Sequence, residues 1–222
     1  MLVWDENGKR YYETGCDKGV LYVCDDTGKY GDGVAWNGLT GVTESPSGAE
    51  STKLYANNSE YATLMSPETF GGTIKGYTYP DEFGECDGSI EPVAGVQLTQ
   101  QKRKKFGLSY RNKIGSDTTE DAGYKIHLIY GALVKPSEKD RTTVNDSPEG
   151  TEFSWEFDTT PAKVTKEVDG TVPKPTAHIV IDTRTVDKAK LTELEKMLYG
   201  GDTGGKAKLP TPDEVIDLFK TV

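Results

Sequence analysis

The chain has 222 residues, 34% of them hydrophobic, with 25 glycines and a formal net charge of −10. That length suits a single β-sandwich or barrel; no run approaches the ~18 apolar residues of a membrane span, and the opening MLVWDENGKRYYE has neither the basic nor the apolar region of an export signal, so a soluble chain made in a cytoplasm is expected. Residues 1–100 carry 16 acids against 6 bases while residues 101–222 carry 20 of each, and a field of that sign opposes specific DNA binding, which needs Lys or Arg to displace the counterions on phosphate.

From Lys18 to about Val134, short extended runs alternate with Gly, Pro, Asn and Asp clusters, the pattern of an antiparallel β domain. The spacing predicts strands over Gly19–Val23, Val34–Val42, Thr69–Tyr79, Lys105–Tyr110 and Tyr124–Val134. Glu152–Thr159 is the clearest strand, because Phe153, Trp155 and Phe157 alternate with Ser154, Glu156 and Asp158. Thr176–Asp182 follows with Ala177, Ile179 and Ile181 on one face. The period then changes: Leu191, Leu194 and Leu198 mark an amphipathic helix capped by Thr185 or Asp187 and stopped at Gly200-Gly201. A short last helix is expected over Pro210–Thr221, with Pro212 in its first turn and Val215, Ile216 and Phe219 on one side.

Two polar stretches, 43–67 and 135–150, are longer than ordinary loops. The first contains Leu54, Tyr55, Tyr61, Leu64 and Met65, too apolar for an idle linker, which points to a projecting hairpin that packs on something outside the monomer. The expected architecture is a mainly β (β+α) single domain over 1–222: an antiparallel sandwich or barrel, one helix on a sheet, an N-terminal arm (1–17), the hairpin (43–67), a long loop (135–150) and a C-terminal arm (200–222) ending in a short helix.

Catalytic, cofactor and metal motifs are not found. His127 and His178 lie in separate strands outside HxH or HExxH spacing, and each reads as a strand residue with a satisfied hydrogen bond. Cys16, Cys24 and Cys86 are odd in number and outside metal-ligand spacings, so reduced cysteines are expected. Nothing resembles a GxSxG elbow, a Walker-type loop or a strand-to-helix GxGxxG. Asp25-Asp26 and Asp81-Glu82 lack the spacing of a calcium loop and read as solvated charge. Lys102, Arg103, Lys104 and Lys105 belong to a stretch, Gln100–Lys113, with six bases and no acid. In a chain with so acidic a first half, that stretch reads as a basic edge facing the acidic edge of an identical neighbour.

Five segments carry a resemblance: VWDENGKRYYETGCDKGVLY (3–22), GVAWNGLTGVTESPSGAE (33–50), YTYPDEFGECDGS (77–89), VNDSPEGTEFSWEFDTTP (144–161) and LPTPDEVIDLF (209–219). Together, in this order, they resemble the major tail proteins of siphophages that infect Gram-positive bacteria. The resemblance implies a structural virion protein assembled in the host cytoplasm, without cofactor or enzymatic activity. Such a subunit closes into a hexameric ring, and rings stack into a tube that delivers genome DNA without binding it specifically. The implied partners are further copies of the chain, the tape measure protein, and tail terminator or distal tail proteins. The family's long hairpin after the second core strand matches Glu44–Pro67, and the residues expected to stack between rings are Glu44, Pro46, Leu54, Tyr55 and Tyr61. An acidic lumen would let a polyanion slide. The competing expectation is a surface β-sandwich that binds glycans or a receptor through exposed aromatics such as Tyr77 and Tyr79.

Overall fold

The computed structural model describes residues 2–143, 150–201 and 204–220. The first half holds β1 (Tyr11–Cys24), β2 (Tyr30–Ala35), β3 (Leu39–Glu44), β4 (Ser47–Gly48), β5 (Ser51–Ala56), β6 (Ser59–Met65), β7 (Glu68–Thr69), β8 (Gly71–Gly76), β9 (Ile90–Val93) and β10 (Val96–Leu98). The second holds β11 (Phe106–Ser116), β12 (Gly123–Val134), β13 (Phe153–Thr159), β14 (His178–Asp182), α1 (Lys188–Tyr199) and α2 (Pro212–Phe219). One antiparallel sheet runs β2-β1-β11-β12-β13-β8-β3, with β14 added to β12. Its ends curl toward each other, since Tyr110 Oη in β11 donates to Glu44 in β3 and a Cβ added to Gly19 in β1 would lie 2.7 Å from the Leu39 side chain of β3.

The central strands are apolar on both faces because each face has its own core. Leu21, Phe106, Leu108, Tyr110, Ile129, Trp155 and Phe157 fill the inside of the curled sheet together with Trp36, Ile74 and Phe83. Residues of opposite parity, Val20, Tyr22, Ile126, Leu128 and Tyr130, meet Leu191, Leu194 and Leu198 of α1 and Leu209 and Val215 near α2. In β12 the parity slips at a bulge, so Ala132 and Val134 return to the inner core. Gly131 sits there at φ 61°, where an added Cβ would lie 2.4 Å from Thr160 O; only glycine takes that backbone without strain.

The helices are pinned by buried hydroxyls as well as leucines. Tyr22 Oη donates to Leu198 C=O (2.8 Å) and Tyr130 Oη to Pro210 C=O (2.9 Å). Asp187, not Thr185, caps α1 by accepting from the N–H groups of Ala189 and Lys190, and Thr211 and Glu214 form a reciprocal capping box on α2. Replacing a capping Asp by Ala costs about 1 kcal/mol. Asp187→Ala is therefore expected to lower stability by that amount in urea titration with an unchanged slope, and no change in the midpoint would rule out the capping role.

Three expectations need correction. The run 34–42 is two strands, β2 and β3, broken at Trp36–Gly38, where Gly38 takes φ 72°. The N-terminal arm is shorter than 1–17, because Tyr11–Asp17 already pair with β11. The C-terminal segment is not a free arm: α2 docks on its own chain, using Val215, Leu218 and Phe219 and not Ile216. Residues 144–149 of the long loop, with 202–203, 221 and 222, lie outside the described residues.

Electrostatics reinforce the outer layer. Arg111 donates twice to Asp17 (2.6 and 2.8 Å) and lies 4.6 Å from the Tyr124 ring centroid, and Tyr124 Oη donates to Glu195 of α1. The Arg111 guanidinium holds the Asp17 carboxyl below its ordinary value of 3.8. A depressed folded-state pKa contributes stability above the unfolded value, lost as pH falls through the folded one. Wild type should therefore exceed Asp17→Asn in stability at neutral pH, and the two should converge in acid denaturation below pH 3.8. Parallel curves down to the acid limit would contradict this.

Candidate functional site

The clearest feature outside the core is the hairpin β5–β6, which forms its own two-stranded sheet. Its turn is Asn57-Asn58, with φ 51° and 64°, the left-handed pair of a two-residue type I′ turn, whose twist matches the flanking strands. At the root, Glu50 and Ser66 exchange hydrogen bonds of 2.9 Å. Register gives the hairpin two unlike faces. Leu54 opposes Ala62 and Thr52 opposes Leu64, so these four share a side. Lys53, Glu60 and Thr63 stand on the other, joined by contacts of 2.8 Å. A bulge after Leu54 leaves Tyr61 without an opposite partner. Tyr55 (68% exposed), Tyr61 (76%) and Leu64 (56%) are open, and Leu54 and Met65 are exposed as well.

A second apolar hairpin escapes sequence reasoning. β9–β10 exposes Ile90, Val93, Val96 and Leu98, paired as Val93–Val96 and Ile90–Leu98. The signal was present as an apolar run interrupted by Gly95, which turns at φ 80°. Leu2, Val3 and Trp4 are exposed too.

The remaining expected assembly residues fall in different places. Pro46 links β3 to β4. Lys102 meets Asp26 at 3.7 Å, Lys104 meets Glu85 at 2.5 Å and Lys105 donates to Thr160 Oγ1 at 2.9 Å, so three of the four bases already face groups of their own chain; Arg103 Nε is buried without a hydrogen-bond partner among the described residues. Asp25 organises a turn by accepting from Thr27 and Lys29 N–H. Tyr79 packs against Phe83 and Trp155 in the core, leaving Tyr77 alone exposed of the pair considered for glycan stacking. Burial raises the Cys16 thiol to about 11 and the Cys86 thiol to about 12, so both are protonated at neutral pH.

Glu44 lies in a site of its own. His127 Nδ1 stands 3.0 Å from Glu44 Oε1 and 3.0 Å from His178 Nε2, and the latter two atoms are 3.8 Å apart. Tyr110 Oη donates to Glu44 Oε1 at 2.6 Å. Hydrogen bonds from His127 and Tyr110 outweigh partial burial and hold the Glu44 carboxyl down at about 2; burial pushes His178 below its usual value. The rings of Tyr110, His127, His178 and Phe70 stack in sequence at centroid spacings of 4.7, 5.2 and 4.6 Å. Each histidine is a strand residue with a hydrogen bond, as expected, but the two are neighbours despite their 51-residue separation, because β12–β14 pairing brings them together.

No protein-family model matches the sequence, and no curated protein matches it. Among solved structures, the chain is similar to a chain of the sheath–tube complex of an extracellular contractile injection system (PVC) in its extended state, with 10% identity and a TM-score of 0.33. The superposition covers 75% of this chain and 89% of that one. A likeness that loose assigns neither a fold family nor a role.

Proposed function

We propose that this chain is a structural subunit, not an enzyme: the tube-forming protein of a long-tailed phage tail, closing into hexameric rings that stack into a conduit for DNA. The observation that carries this reading is the β5–β6 hairpin. It projects an apolar side, Leu54, Ala62 and Leu64, on which both leucines stay exposed among the described residues. An isolated two-stranded hairpin is marginal in water, so one carrying exposed leucines is built to be covered. A second copy is the occupant that fits: among the described residues β14 is paired along one edge, by β12, and an open strand edge is completed most simply by a strand from a neighbour. Ring closure then removes the edge that would otherwise aggregate without limit. The acidic excess of residues 1–100 supports a lumen that repels DNA.

Sedimentation velocity over a concentration series tests this reading. Wild type should shift to large species as concentration rises, whereas Leu54→Asp with Leu64→Asp should stay monomeric with unchanged circular dichroism. Equal assembly of both would rule out the hairpin as the stacking element.

A further inference from the structure

We propose that Glu44, His127 and His178 form a binding site for a divalent cation of zinc type, independent of whether the chain forms tubes. Three ligand atoms from three strands converge, with mutual distances of 3.0, 3.0 and 3.8 Å. Ligands at zinc distances of about 2.0–2.1 Å in a tetrahedron are separated by about 3.3 Å, so the triangle already has nearly the size that one ion requires.

The surroundings prepare His127 for that role. Asn112 Nδ2 donates to Glu13 Oε2 at 2.6 Å, which turns Asn112 Oδ1 toward His127 Nε2 at 2.7 Å. An amide oxygen only accepts, so His127 Nε2 carries hydrogen, and in the neutral ring Nδ1 presents a lone pair. That atom faces the Glu44 carboxylate oxygen at 3.0 Å: a proton on Nδ1 makes the contact a hydrogen bond, and in the neutral ring a cation among the three atoms takes that proton's place. A second partner that fixes the tautomer of a ligating imidazole is what metal sites use; Tyr110 does the same for Glu44. Two imidazoles and a carboxylate suit zinc better than magnesium or calcium, which prefer oxygen alone.

Access and role follow from placement. The His127 side chain is 8% exposed and that of Glu44 is 36%, so a buried wall faces an open side where water completes the coordination. A groove lined by Phe70, Pro175 and His178 leads to it. Glu44 ends β3 three residues before β4, so a bound ion would tie the root of the projecting segment to β12 and β14.

The test is calorimetric titration of zinc chloride into chelator-stripped protein, with thermal melts alongside. One zinc per chain and a melting temperature that rises with free zinc are expected. Asn112→Ala should weaken binding roughly 10- to 100-fold, and Glu44→Gln, which keeps an acceptor for Tyr110, should weaken it further. His178→Ala, checked for folding by circular dichroism, should abolish saturable binding. Failure of wild type to take up zinc would show that a proton fills the triangle and overturn the proposal; so would a folded His178→Ala that binds as tightly as wild type.

Discussion

Replacing residues 51–65 by an Asn-Gly link between Glu50 and Ser66 should leave a folded protein that has lost the ability to form long assemblies. Among the described residues the hairpin belongs to neither core, and its two strands pair with each other alone. Glu50 and Ser66 already pair backbone to backbone, so the link closes a turn of the geometry that Asn-Gly favours. The melting temperature should hardly move, because no buried apolar side chain is removed. Light scattering of concentrated solutions should rise for wild type and stay flat for the deletion. Retained assembly would transfer the stacking role to β9–β10 or the N-terminal segment, while an unfolded product would mean that the hairpin supports the sheet.

The largest stability effect is expected at Trp155. Its indole is fully buried and meets Trp36, Tyr79, Phe83 and Phe153 with ring centroids between 5.1 and 5.9 Å. Trp155→Ala should cost roughly 3 to 5 kcal/mol through lost burial and the cavity left behind. For a domain of this size, each kcal/mol is about 2–4 °C, so a fall in melting temperature on the order of 10 °C is expected. Trp155→Phe should cost much less, because the indole N–H has no hydrogen-bond partner among the described residues and its loss relieves an unsatisfied buried donor. Scanning calorimetry of both variants decides the matter: an alanine variant within about 2 °C of wild type, a loss of about 1 kcal/mol or less, would show that the cluster is not the keystone of the inner core.

These expectations show which parts of the molecule the sequence makes legible. β13 follows from alternation because its Phe153, Trp155 and Phe157 side is packed while Glu156 and Asp158 face water. Both helices follow from local chemistry, with leucines at helical spacing and the Thr211/Glu214 cap. The hairpin follows from apolar residues stranded in a polar stretch. What stays hidden depends on register or on breaks of period. β1 is masked by two register shifts between Thr14 and Val20, and Trp36 matches the parity of a continuing strand although β2 ends before it and the chain turns at Asn37-Gly38. The Glu44–His127–His178 cluster is created by β12–β14 pairing and by the curl that brings β3 across the sheet, and no local spacing reports either. Charge at residues 102–105 is visible, but its partners Asp26 and Glu85 are fixed only by the fold.

The most direct measurement is negative-stain electron microscopy of the purified chain at high concentration, alone and with fragments of its own assemblies added as seeds. Six-fold annuli stacked into hollow tubes, lengthening from the seeds, are the result predicted. A protein that stays monomeric under both conditions would contradict the claim that its open edge and hairpin are completed by copies of itself.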